Sequence, residues 1–195
     1  MKTIPIIFST PMVKAILAGR KTQTRRIIKP QPSLDYDSGY VYWGKHIFDI
    51  HDQPLSHDLP LLCPYGQPGD RLYVRETWQK VSYPDGTTAR KVVTIYRADD
   101  EAGHINKGWK PSIHMPRAAA RIILEITDVR VERLQDISEE DAIREGVKQK
   151  TFEGFSDKKT SFKYGFLQVW TDIYGNISWN SNPWVWCISF KRIEP

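Results

Sequence analysis

Apolar positions open the chain in a short, scarcely alternating run, "IPIIFS" at residues 4–9, rich in β-formers and read as a buried strand. "STPMVKAILAG" then switches to helical spacing. Ser9 or Thr10 can cap, Pro11 suits the first turn, Val13, Ile16 and Leu17 share one face, and Gly19 supplies a left-handed stop. From Lys29 to about Gly69 the periodicity is lost and six prolines interrupt the text, which predicts a loop-rich insertion with one hairpin. Alternation returns in "GDRLYVRETW": Leu72, Val74 and Glu76 point one way, Tyr73, Arg75 and Thr77 the other. "KVVTIYRAD" predicts another strand, and "DEAGHINKGWKPSIHMPR" a loop.

In "ARIILEITDVRVERL" apolar and charged residues alternate on either side of Thr127–Asp128, predicting two strands. "DISEEDAIREGV" predicts a capped helix with Ser138 and Asp141 at the box spacing and Gly146 as its end. A polar linker over 148–159 and a short helix at "FKYGFLQVWTDIYG" precede the last strand, "NPWVWCISFKRI". Trp184, Trp186, Ile188 and Phe190 line one face of that strand. Many short strands with two or three small helices predict an α+β fold: a small mixed β-barrel with flanking short helices and a loop-rich insertion at about 29–66.

At 195 residues the chain fits a single domain, 1–195, long enough to bury a core without disulfides or metal. Its two cysteines, Cys63 and Cys187, lie far apart, and "MKTIPIIFST" is too short and too broken by Pro5 to be a secretory or membrane-spanning segment. Reduced thiols, a cytoplasmic location and no membrane partner are therefore expected. The formal charge of +5 favours anionic partners such as RNA. No P-loop, no G-x-G-x-x-G after a strand and no G-x-S-x-G elbow is present, which argues against NTPase, dinucleotide and α/β-hydrolase chemistry. His46, His51, His57 and Cys63 share one loop without a C-x-x-C or H-E-x-x-H pattern, so neither a metal nor another cofactor is expected.

Candidate chemistry concentrates in "ILAGRKTQTRR". Arg20, Lys21, Arg25 and Arg26 follow a helix C-terminus, where cations complement the dipole, and that accounts for one or two of them. Thr22 and Thr24 interleave with the charges. A lysine among other cations has a lowered pKa and can act as a base toward a threonine hydroxyl. An ideal strand would turn Lys21 and Thr24 to opposite sides, so this reading needs an irregular turn. Backbone amides after Gly19 are candidate oxyanion donors. Two carboxylates compete for the acid role: Glu145, at a helix end whose dipole disfavours its ionised form, and Glu76, beside Arg75 in a strand. For recognition, Trp78 and Trp109 offer stacking, Ser112 and His114 hydrogen bonds, and Arg117 a planar cation on a Pro-stiffened loop.

These segments together resemble the ASCH family of the PUA-like superfamily, in the longer form common in phages and prophages. Gly19, Lys21 and Arg25 resemble its G-x-K-x-x-x-R turn, "PGDRLYVRETW" its G-D-x-L strand, "ARIILEITDVRVERLQDISEEDAIREG" its strand-to-helix segment and "PWVWCISFKRI" its closing strand. The fold that the resemblance implies is a small mixed PUA-like barrel. Some compact bacterial members are amidohydrolases that remove the acetyl group from the exocyclic amine of acetylated cytidine by means of a lysine, a threonine and a glutamate. Their counterparts here would be Lys21, Thr24 and Glu145. Other members are predicted RNA binders, and ribonuclease activity is reported in the family.

The expected activity is hydrolysis of an amide on a modified pyrimidine nucleoside, with Arg20, Arg25, Arg26, Arg75, Glu76, Trp78, Ser112, His114 and Arg117 as candidate substrate or RNA contacts. The alternatives are an RNA-binding module without catalysis, a ribonuclease, or a phage accessory protein that meets a host partner through the Pro-rich insertion.

Overall fold

The computed structural model describes residues 1–194 except 50, 52–54, 56, 85–89, 101, 104, 106 and 153–158. In chain order the elements are β1 (Thr3–Ile7), α1 (Thr10–Leu17), β2 (Gln23–Ile27), β3 (Ser33–Asp35), β4 (Tyr40–Trp43), β5 (His46–Asp49), α2 (Asp58–Leu61), β6 (Arg71–Arg75), β7 (Trp78–Pro84) and β8 (Arg90–Tyr96). They continue as β9 (Ile123–Arg133), α3 (Glu139–Arg144), β10 (Lys150–Phe152), β11 (Lys159–Ser161), α4 (Phe162–Asn180) and β12 (Trp184–Ile193). The architecture is mixed α+β.

A five-stranded sheet in the order β1-β6-β9-β12-β2 organises the molecule; β1 runs parallel to β6 and the other neighbours are antiparallel. The described pairings do not close this sheet into a barrel. Its two end strands nevertheless approach one another, because Arg26 of β2 donates from Nη2 to the Ile7 carbonyl at the end of β1 at 2.7 Å. Inward positions of these strands (Ile6, Leu72, Val74, Leu124, Ile126, Trp186, Ile188, Phe190) join Val13 and Ile16 of α1 in one core. The helical face read from the spacing of Val13 and Ile16 is therefore the one that packs.

The two strands expected around Thr127–Asp128 are one. Ser189 pairs with Asp128 and Phe190 with Ile126, so Thr127 is the extra residue of a β-bulge. The bulge shifts the alternation by one position, and in the sequence this imitates a strand break.

β12 is buried on both faces. Opposite the main core, Val185 packs with Leu134, Ile137 and Ala142 near α3 and with Phe166 and Trp170 of α4. The helix expected to be short spans Phe162–Asn180, broken at Gly175 (φ 81°, ψ 161°). Beyond the break the chain folds back. Trp170 Nε1 donates to Ser178 Oγ at 3.2 Å, and the rings of Phe166 and Trp179, ~20 Å apart in a straight helix, lie 6.3 Å apart.

The Pro-rich insertion contains a three-stranded antiparallel sheet, β3-β4-β5, rather than one hairpin. It is anchored through Trp43, edge-on to Trp186 at 5.8 Å, and through Leu59 and Cys63 in the main core. His46 stacks on both Trp43 and Phe48. The expected polar linker holds the β10–β11 hairpin, whose connection lies outside the described residues. No helix is long and apolar enough to cross a membrane among the described residues.

Candidate active site

Gly19 ends α1 in the left-handed region (φ 70°), and the chain turns back on the helix: Arg20 N and Lys21 N both donate to the Ala15 carbonyl, at 2.9 and 3.1 Å. The next amide, Thr22 N, donates to Arg144 O at 2.8 Å, and Lys21 forms an isolated antiparallel bridge with Glu145. The basic turn and the end of α3 are thus stitched together by backbone before any side chain acts. α3 itself starts as its sequence predicts, with Ser138 Oγ accepting from Asp141 N at 3.0 Å. It ends at Gly146 (φ 75°), where an added Cβ would stand 2.7 Å from Lys21 Cβ. Glycine there permits both the turn and the close approach.

This stitching places the Lys21 side chain inside the protein. Its Nζ donates to Glu145 Oε2 at 2.7 Å, to Gln23 O at 2.8 Å and to Glu145 O at 3.0 Å, which uses all three ammonium protons. Burial pulls the Lys21 pKa below its ordinary 10.5, and the Glu145 carboxylate opposes that pull. Lys21 lies in the bridge and β2 begins only at Gln23, so Lys21 and Thr24 do not share one regular strand, and no hydrogen bond joins their side chains among the described residues.

Arg25 is equally enclosed. Nη1 donates to Glu145 Oε1 at 3.3 Å, while Nη2 donates to Asp141 Oδ2 at 2.8 Å and to Glu132 Oε2 at 2.9 Å. Arg130 meets the same Asp141 and Glu132 at 3.2 and 2.8 Å, and Gln23 is placed with its amide nitrogen 2.9 Å from Asp141 Oδ1 and its oxygen 3.0 Å from Arg130. With Arg130 also meeting Asp128 and Asp141 also meeting Arg144, four cations (Lys21, Arg25, Arg130, Arg144) match four carboxylates (Asp128, Glu132, Asp141, Glu145), so the network is neutral among the described residues. Glu132, Asp141 and Cys187 bring three ligand-type atoms within 4.8 Å of one another. Arginine guanidinium groups already fill the carboxylate side of that triangle, and burial pushes the Cys187 thiol up to about 12, so the set suits an ion-pair network rather than a metal.

Beside this network opens a cleft of about 230 Å³. β2 and the end of α3 contribute Thr24, Arg25, Arg26 and Glu145; the start of α1 contributes Pro11 and Met12; α4 contributes Phe166, Val169, Trp170, Ile173 and Tyr174. The described residues form no hydrogen bond to the Thr24 hydroxyl. Lys21 does not line the cleft and stands behind Glu145. The arrangement therefore offers a free hydroxyl and a carboxylate facing one space, with a buried amine 2.7 Å from that carboxylate.

The remaining sequence candidates are scattered. Arg20 is exposed and donates to Gly146 O at 3.3 Å. Arg26 lies over Phe8 at 5.1 Å and lines both this cleft and a second, wider one that Ser112 also lines. Arg75 donates to the carbonyls of Met115 and Ile113, which fixes the Ser112–Arg117 loop; His114 and Arg117 are exposed on it.

Glu76, the rival carboxylate, is enclosed away from Thr24. Arg121 grips it at 2.9 and 3.1 Å, and burial raises its pKa against that pull. Trp78 is 5% exposed and packs on Met115 and Ala119 beneath Lys110, so it is core rather than a stacking surface. Trp109 is tied by Nε1 to Ile105 O. The turn amides also differ from expectation, since those of residues 19–22 all donate to backbone carbonyls and none is left for an oxyanion.

Sequence reasoning missed the aromatic wall. Phe166, Val169, Trp170 and Ile173 follow i, i+3, i+4, i+7 spacing, so the stripe was visible, but nothing local tied it to Thr24. Comparison with protein-family models, with curated proteins and with solved structures returned no match.

Proposed function

We propose that this chain is an amidohydrolase of the ASCH, PUA-like kind that acts on an N-acylated amine, with the acetylated exocyclic amine of cytidine as its type substrate. The observation that carries the reading is the shared cleft: Thr24 and Glu145 line it together, and Lys21 is hydrogen-bonded to Glu145 from behind. The curled five-stranded sheet, with Arg26 bridging its end strands, supports the barrel-like part of the reading.

Glu145 faces the cleft as the proton carrier, and Lys21, hydrogen-bonded to it from behind, holds its carboxylate in place. The Thr24 hydroxyl attacks the acyl carbon and gives its proton to Glu145. Glu145 protonates the nitrogen of the scissile bond, the amine departs, and the acyl group remains as an ester on Thr24. Water then attacks the ester and gives a proton to Glu145, the carboxylic acid leaves, and Glu145 returns its proton to Thr24. Amide and water become amine and acid, and the enzyme is restored.

The RNA-binding alternative draws less support. Arg25 is sealed among carboxylates, Arg75 is committed to backbone carbonyls and Trp78 is in the core, which removes three of its expected contacts. The test is turnover of acetylated cytidine by the purified protein and by Thr24→Val, which keeps the shape and deletes the hydroxyl. Loss of about 10³-fold or more in kcat is expected, in the range of an essential group. Equal turnover by the two proteins, or none by the wild type, overturns the reading.

A further inference from the structure

The cleft that holds Thr24 and Glu145 does not end at its own walls. At about 230 Å³ it falls below the ~300–1,000 Å³ usual for a small-molecule site. Two wider cavities adjoin it, of about 530 and 320 Å³, and Arg26 and Tyr174 line all three. The cleft also shares Ser9, Met12 and Ile173 with the 530 Å³ cavity, and the two wider cavities share Tyr65. They form one groove folded around Arg26.

Arg26 follows Thr24 by two positions in β2, so both side chains leave the same side of the strand. Its guanidinium is held at one corner only. Nη2 donates to Ile7 O at 2.7 Å, while Nε and Nη1 form no hydrogen bond among the described residues and are not sealed from solvent. Arg25, its neighbour, is gripped by three carboxylates; Arg26 meets none among the described residues.

The groove is charged unevenly. At the Thr24 end stand Glu145, which Lys21 and Arg25 neutralise, and Asp172, exposed and accepting from Gln168 Nε2 at 2.6 Å. Past Arg26 the described lining contains no carboxylate. The 320 Å³ cavity adds the exposed Lys29 and the phenols of Tyr65 and Tyr174, and the 530 Å³ cavity adds the hydroxyls of Ser9, Thr77 and Ser112. Burial raises the Tyr65 pKa, so its hydroxyl keeps its proton for donation. Two cations and two phenols around one space suit a terminal phosphate, which carries about −1.5 to −2 near pH 7 and offers three acceptor oxygens. A carboxylate or a phosphodiester brings a single charge.

We infer that the groove takes a phosphorylated substrate, a nucleoside monophosphate whose terminal phosphate lies between Arg26 and Lys29 while its acylated amine reaches Thr24 and Glu145. This rests on the hydrolase reading for the place of the amine; the phosphate site does not require it. The nucleotide is then bound in preference to the bare nucleoside.

The probes are cytidine 5′-monophosphate, cytidine, and a cytidine dinucleotide whose single phosphate is a diester; none carries an acyl group to be turned over. Each is titrated calorimetrically into the full chain. The monophosphate is expected to bind about tenfold or more tightly than cytidine, and the ratio should fall as salt rises from about 50 to about 500 mM. Arg26→Gln and Lys29→Gln should each cut that ratio by about threefold or more. Arg26 also bridges the end strands, so the Tm of its variant is read alongside, and the exposed Lys29→Gln decides the matter if Arg26→Gln does not fold. A ratio near one, a ratio undiminished by Lys29→Gln, a dinucleotide bound as tightly as the monophosphate, or no monophosphate binding overturns the inference. Turnover of acetylated cytidine with no preference for the monophosphate would keep the hydrolase and remove the phosphate site, whereas the preference without turnover would do the reverse.

Discussion

Glu145→Gln is the substitution that most directly interrogates the buried pair. It is nearly isosteric, so its effect is electrostatic. The Lys21 and Glu145 side chains are 0% and 4% exposed, which sets them apart from surface pairs worth ~0–1 kcal/mol. Removing one member of a buried pair costs about 3–5 kcal/mol because the other charge is left enclosed. Arg25 keeps Asp141 and Glu132, and the glutamine oxygen still accepts one hydrogen bond worth ~1 kcal/mol, so the expected loss at pH 7 is about 3 kcal/mol. That is a large part of the ~5–15 kcal/mol that holds a domain folded.

The pH dependence of this loss has a defined sign. Lys21 already titrates below 10.5 because it is buried, and without the carboxylate that opposed burial it titrates lower still. A group with a depressed folded pKa contributes stability above its unfolded value and loses it as pH falls through the folded one. The deficit of Glu145→Gln should therefore narrow steadily as pH rises from 7 toward 10. In a Lys21→Met background the same substitution should cost far less, giving a coupling of about 2 kcal/mol or more. Urea unfolding followed by the fluorescence of the seven tryptophans measures all four proteins. A loss below about 1 kcal/mol at pH 7, or a deficit that widens with pH, would refute the buried-pair account.

Gly146→Ala should be destabilising by about 2–4 kcal/mol, since it combines left-handed strain with a Cβ only 2.7 Å from Lys21 Cβ and 3.0 Å from Ala15 Cβ; thermal melts read the effect, and a neutral result would contradict the close approach. Cys187, pushed by burial from 9.0 to about 12, should carry ~1,000-fold less thiolate at pH 8 than an ordinary thiol and stay unmodified by a thiol reagent until the protein unfolds; rapid labelling of the native chain at that position would refute its enclosure. Glu76, whose pKa burial raises above 4.5, contributes stability that is full below 4.5 and fades as pH rises through the folded value. The Tm advantage of wild type over Glu76→Gln should thus grow as pH is lowered from 7 to 5, and an advantage that shrinks would reverse the assigned cause.

Local patterns were enough for the elements whose forces are local. Ser138 caps α3, Gly19 and Gly146 take the left-handed turns that end helices, and the alternation of "RLYVR" and "WVWCISF" became β6 and β12. The tight grouping of Lys21, Gln23, Thr24 and Arg25 in sequence marked the region of the site, because these residues span only one turn and the start of one strand. What failed locally had long-range causes. The bulge at Thr127 exists only against its partner strand, and the fold-back at Gly175 exists only because Phe166 finds Trp179.

The sequence by itself determined that an amine, a hydroxyl and several guanidinium groups would fall in one short stretch after the first helix, since residues 20–26 span at most ~20 Å of extended chain. Only tertiary structure decided which carboxylate joins them. On paper Glu145 is preferred and Glu76 is its rival, and the backbone bridge from Lys21 to Glu145 across 124 positions brings Glu145 to the lysine, leaving Glu76 to Arg121. Burial, too, is a property of the assembled structure: enclosure between α1, β2 and the end of α3 lowers the lysine pKa, and that effect has no signature in the order of residues.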